Sequence, residues 1–85
     1  MSANGAKNIS VQYFAMLREQ RGLSKESLAT HAQSAAALYE ELRFQHGFTL
    51  PLERMRVIVN ESFQPWDVSL SEGDEVVFVP PVAGG

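Results

Sequence analysis

The chain has 85 residues, 45% of them hydrophobic, with 20% charged, a net charge of −3 and no cysteine. That length allows one domain with a small core, which must form without disulfides. The lack of Cys excludes thiolate nucleophiles, zinc–thiolate sites and iron–sulfur clusters, and the acidic balance argues against a nucleic-acid partner, since only Arg54 and Arg56 approach a basic cluster.

No apolar run approaches the roughly 20 residues of a membrane helix. The opening "MSANGAKN" lacks the apolar stretch of a secretory signal, so the chain is expected to be cytoplasmic and not bound to a membrane. Residues 1–7 are expected to form a flexible lead-in, residues 8–79 a folded domain, and residues 80–85 an extended tail.

"NISVQYF" places Ile9, Val11 and Tyr13 on one face of a strand, with Ser10 and Gln12 on the other. Phe14 falls on the polar parity. "AMLREQRG" predicts one or two turns of helix stopped by Gly22. "SLAT", around Leu28, predicts a weak edge strand in a loose hairpin with the first. The main helix is predicted over "SAAALYEELRFQHG", residues 34–47. Ser34 is its N-cap, and Ala35, Leu38, Tyr39, Leu42 and His46 lie on or beside its apolar stripe. Gly47 is its C′ residue and Phe48 supplies the apolar contact beyond. Glu40 and Glu41 are expected to face outward.

"TLPLE" reads as a loop. "RMRVIVN" reads as a strand with Met55, Val57 and Val59 on one face, and "NES" as the turn after it. "FQPWDVSL" is expected to be irregular or a short strand, because Pro65 cannot sit in a central ladder. Trp66 is expected to close one end of the core. "SEGDE" is a solvated turn centred on Gly73. "EVVFV" is apolar on both faces, which predicts a central strand covered on both sides, and Pro80 ends it by removing a donor. The first and last strands, as the most apolar, belong in the middle. If adjacent, they run parallel.

Neither His31 nor His46 has partners at metal-ligand spacing, and Arg18 and Glu19 read as an exposed pair, with Arg18 a candidate docking residue. The end, "FVPPVAGG", is less ordinary. Two prolines favour an extended segment that reaches roughly 18 Å over six residues, and Gly84 and Gly85 lack the Cβ that would keep a narrow tunnel from closing around the backbone. Such a segment is either a bare tail or a device whose reactive group is the backbone carboxylate.

The element order resembles the β-grasp fold of ubiquitin: α+β, with a mixed four- to five-stranded sheet and one main helix on one face. "VQYFAMLREQRG", "VNESF" and "LSEGDEVVFVPPVAGG" resemble the small, sulfur-carrying subunit family of molybdopterin synthase. The N-terminal extension, the Trp66 segment and Val79, where relatives often carry an aromatic residue, depart from its pattern. The resemblance implies that the Gly85 carboxylate is adenylated by an ATP-dependent partner and converted to a thiocarboxylate. A large synthase subunit then receives the tail, in a heterotetramer, and passes the sulfur to a pterin precursor. It further implies that Gly84 accompanies Gly85 into the partner sites. By the same resemblance Phe14, Phe63 and Val79 would form an apolar docking patch, and Pro80, Pro81, Val82 and Ala83 would bind the partner along the tail. No cofactor or metal is expected on this chain itself; ATP belongs to the activating enzyme. The thiamine-pathway carriers share the fold and the Gly-Gly end, and a ubiquitin-like modifier joined through Gly85 shares the activation chemistry.

Overall fold

Alternation of period two and helix-capping residues set the local elements, and a computed structural model shows how they assemble over residues 5–81, the residues it describes. The order is β1 (Lys7–Tyr13), α1 (Ala15–Arg21), β2 (Lys25–Thr30), α2 (Ala35–His46), a 3-10 turn (Leu52–Arg54), β3 (Arg56–Val59), β4 (Ser62–Gln64) and β5 (Glu75–Val79). The five strands form one mixed sheet in the order β2-β1-β5-β3-β4. β1 and β5 lie inside the sheet, where their apolar character places them; they are neighbours, and as expected for adjacent strands they run parallel, with Tyr13 beside Phe78. β2 is an edge strand antiparallel to β1.

The caps behave as their chemistry requires. Ser34 accepts a hydrogen bond from the Ala37 N–H at 3.1 Å, satisfying one of the helix's free donors. Gly47 ends α2 at φ 73° and its N–H returns to Arg43, a left-handed position that glycine occupies without a Cβ penalty. Between β3 and β4, Asn60 and Glu61 both have positive φ, 51° and 73°, which matches the twist of a two-residue hairpin. Asn60 also fastens that turn to β5: its side-chain oxygen accepts from the Glu75 N–H and its amide donates to Asp74, each at 2.9 Å.

The core lies between the sheet and both helices. Leu17 of α1 and Ala35, Leu38, Tyr39 and Leu42 of α2 pack on Ile9, Val11, Tyr13, Val57, Val59, Val76 and Phe78. Phe48 joins them, and Trp66 closes one end, its ring stacked on Phe78 at 6.0 Å and its indole N–H donating to the Met55 carbonyl. The Tyr39 hydroxyl is satisfied by the Leu50 carbonyl at 2.6 Å, so this buried ring carries no unpaired polar atom.

Four expectations need correction. β5 is central but covered on one side only: Val76 and Phe78 are buried, whereas Val77 and Val79 are half-buried on a face that no helix covers among the described residues. Both helices belong to connections that return over the same side. Glu41 does not simply face outward; it is half-buried and accepts a hydrogen bond at 2.9 Å from the hydroxyl of Thr30, a buried polar residue. β1 begins at Lys7, one residue before the expected domain boundary, and the Lys7 ammonium donates to the Ala32 carbonyl at 2.8 Å. The segment after α2 contains a single 3-10 turn.

α1 is held by an ionic knot. Glu26 of β2 accepts two hydrogen bonds from the Arg21 guanidinium, at 2.8 and 2.9 Å, and a third from the buried Tyr13 hydroxyl at 2.7 Å. Arg21, above all, holds the Glu26 carboxyl below its ordinary value of 4.5, with Tyr13 adding to the effect. Burial, then Glu26, pushes the Tyr13 hydroxyl up. A depressed carboxyl stabilises the fold above its unfolded pKa, and that contribution disappears as pH falls through the folded value. Acid unfolding of the protein is therefore expected to draw on Glu26 below about pH 4.5. Glu26→Ala strands a buried hydroxyl and a guanidinium and is expected to cost about 1–3 kcal/mol at neutral pH. The penalty should shrink toward pH 3, which urea titrations at the two pH values would reveal. An equal penalty at both would show that the charge contributes nothing.

Candidate functional site

The face of the sheet opposite the helices carries the apolar side chains of Ile58, Phe63, Val77 and Val79. Gln12, Val77, Ile58 and Phe63 lie in one row across four strands, set by the registers Gln12–Val77, Val77–Ile58 and Ile58–Phe63. Val79 begins the next row, beside Arg56. Phe63 is 57% exposed, and the Arg56 guanidinium sits 4.4 Å from the centre of its ring. Phe14, the N-cap residue of α1, is 42% exposed. Its position follows from the backbone: Tyr13 points into the core, Phe14 continues in extended geometry with the opposite parity, and Ala15, at φ 51°, turns the chain sharply into α1. A left-handed L-residue costs about 1–2 kcal/mol, and the small Ala side chain keeps the corner possible.

The sheet comes to an end where the tail begins. Tyr13–Phe78 is the last rung between β1 and β5, and Arg56–Val79 the last between β3 and β5. Pro80 then offers no N–H for a further rung. Phe63, Val79, Pro80 and Pro81 line one open concavity of about 380 Å³, together with Met55 and the arginines 54 and 56. A second concavity, of about 410 Å³, continues past Phe63 to Pro65 and Trp66. Four of the expected site residues are thus brought together. Phe14 stands on the outer-face parity but does not line the concavity. Val82, Ala83, Gly84 and Gly85 lie outside the described residues.

The arginine beside Phe63 was not foreseen as part of the site. The proximity of Arg54 and Arg56 in sequence is visible, but their place beside Phe63 and the prolines depends on the pairing of β3 with β4 and β5. The other expectations fare simply. Arg18 and Glu19 are both exposed, and His31 is exposed. His46 is half-buried beside the Phe48 ring, and burial, then Arg21, lowers its pKa. Among the described residues, no cluster of His, Asp and Glu could hold a metal ion, and no helix is long and apolar enough to cross a membrane.

The ThiS family matches residues 11–85. The chain belongs to the ThiS family. The molybdopterin synthase sulfur carrier subunit of Escherichia coli is 35% identical to it over 80 residues, covering 91% of this chain and 99% of that protein. Solved structures that share its ubiquitin-like β-grasp fold include the following two. One is the complex of subunits 1 and 2 of the molybdopterin-converting factor of Helicobacter pylori (TM-score 0.61, 23% identity, 92% and 99% of the two chains covered). The other is the ubiquitin of Caldiarchaeum subterraneum (TM-score 0.62, 16% identity, 95% and 100% covered). Membership of the ThiS family extends through the tail, since the match runs past the last sheet residue, Val79, to residue 85.

Proposed function

We propose that this member of the ThiS family is a sulfur carrier of molybdenum-cofactor biosynthesis, with the carboxylate of Gly85 as the loaded group. The observation that carries the reading is the near-full-length likeness to a molybdopterin synthase sulfur carrier subunit, within a family match that includes the Gly-Gly end. A carboxylate resists nucleophilic attack, so it must first gain a leaving group. In the proposed cycle a carboxylate oxygen of Gly85 attacks the α-phosphorus of ATP on an activating enzyme, and pyrophosphate leaves. A sulfur nucleophile then forms a C–S bond at the acyl carbon and AMP leaves, so that the tail ends in a thiocarboxylate. The large subunit of molybdopterin synthase receives that tail in a heterotetramer and transfers the sulfur to a pterin precursor. This chain supplies no catalytic pocket and binds no cofactor in the cycle; ATP belongs to the activating enzyme, and the whole cycle takes place in the cytoplasm.

The outer sheet face serves docking in this reading. A tail that must enter two different active sites needs an anchor near its root. Phe63 and Val79 offer apolar area there, with Phe14 at the near end of β1. Gly84 and Gly85 keep the tail narrow, and the prolines reduce the entropy lost when it is fixed.

Incubation with the activating enzyme, ATP and sulfide tests the reading, with intact mass as the readout. The expected result is replacement of one oxygen by one sulfur, followed by loss of that sulfur when the large subunit and the pterin precursor are added. An unchanged mass would overturn the carrier function. Rescue of thiamine growth in a carrier-deficient bacterium, without rescue of molybdenum-enzyme activity, would keep the chemistry and overturn the pathway.

A further inference from the structure

Of the seven Lys and Arg residues, three have ionic or hydrogen-bonding partners among the described residues. Arg21 and Arg43 are in ion pairs, and Lys7 donates to a backbone carbonyl. Arg54 and Arg56 are exposed and make no ion pair among the described residues. Both line the concavity at the tail root, where Glu53 is the single acidic residue. Two cations against one anion leave this spot positive, in a chain whose net charge is −3. Arg56 lies over the Phe63 ring at 4.4 Å, a contact that is weak at an exposed site and readily exchanged.

We infer that Arg54 and Arg56 form a carboxylate-binding contact beside the tail, which engages acidic side chains on the large subunit and sets the carrier over its entrance. The inference rests on the carrier reading and adds to it the chemistry of the partner's rim. A guanidinium presents a planar fork that matches a carboxylate with two parallel hydrogen bonds. The surroundings favour such a pair once a partner covers them: Met55, Phe63, Val79 and the two prolines are apolar, and exclusion of water strengthens the attraction. Placement next to the last sheet rung, Arg56–Val79, means that a carboxylate held there fixes the direction in which the tail leaves. The apolar face then supplies contact area, and the arginines supply orientation and encounter rate.

Calorimetric titration of the large synthase subunit from the same organism, at low and high ionic strength, tests this. Arg54→Gln combined with Arg56→Gln is expected to weaken binding at least about fivefold at low ionic strength and to flatten its salt dependence, while the melting temperature stays unchanged. Arg54→Lys combined with Arg56→Lys is expected to restore the salt dependence, since charge is kept although the fork is lost. Equal affinity and an equal salt slope for the glutamine variant would overturn the inference and leave the carrier reading intact. Sulfur loading by the activating enzyme tests that reading separately. Failure of the unsubstituted chain to bind the large subunit would overturn the inference together with the docking role.

Discussion

Deletion of Gly85, or addition of one residue after it, is expected to abolish sulfur loading while leaving the fold unchanged. One residue of extended chain moves the acyl carbon by about 3.3–3.6 Å. The reacting atoms of a productive complex stand only about 3–3.5 Å apart, and a misplacement of about 1 Å can already cost a hundredfold in rate. In the proposed cycle the register of the tail in a partner's tunnel is counted from a fixed point, the docked sheet face, so an added or missing residue could not be absorbed without undocking that face. Stability is not at stake, because among the described residues the core cluster extends no further along the chain than Phe78. Loading is measured by intact mass after incubation with the activating enzyme, ATP and sulfide, and folding by thermal denaturation. Loading of either variant at the unsubstituted rate would show that Gly85 is not the reacting residue.

Phe78→Ala is expected to have the opposite outcome, loss of the fold rather than of the chemistry. Phe78 is fully buried at the centre of the sheet. Its ring meets Tyr39 edge-on at 5.2 Å, stacks on Trp66 at 6.0 Å and lies 6.4 Å from Tyr13. Truncation of such a ring costs about 3–5 kcal/mol through lost transfer energy and the cavity left behind. A small domain has about 5–15 kcal/mol in total and tends toward the lower end. The melting temperature should fall by about 15–30 °C, or the variant should fail to fold. Val79→Ala, one residue further on and on the outer face, should cost under about 1 kcal/mol and act on docking instead. Urea denaturation of both variants provides the comparison. Similar losses for the two would show that the two faces of β5 are not distinct.

That contrast between adjacent residues marks how far the sequence could be read. Ile9, Val11 and Tyr13 alternate so cleanly that β1, its buried face and the outward parity of Phe14 are legible without coordinates. The same holds for Ser34 and Gly47, whose capping roles depend only on neighbours within one turn. In "EVVFV" the pattern itself is ambiguous. Both parities are apolar, and an apolar strand face looks the same in sequence whether a helix covers it or a partner does. The two helices settle the matter by packing on the Val76 and Phe78 side.

The sequence by itself determined the local elements, the apolar character that sends the first and last strands to the middle of the sheet, and the family whose signatures lie in residues 9–85. Each of these depends on residue periodicity, on capping chemistry or on short motifs, all confined to neighbours along the chain. Tertiary structure alone decided which face of β5 stays open. It also joined Arg21, Glu26 and Tyr13 in one knot, and placed Arg56 on Phe63 next to the prolines. Those three outcomes depend on register between strands and on the side to which each connection returns, and both are set when distant segments pack.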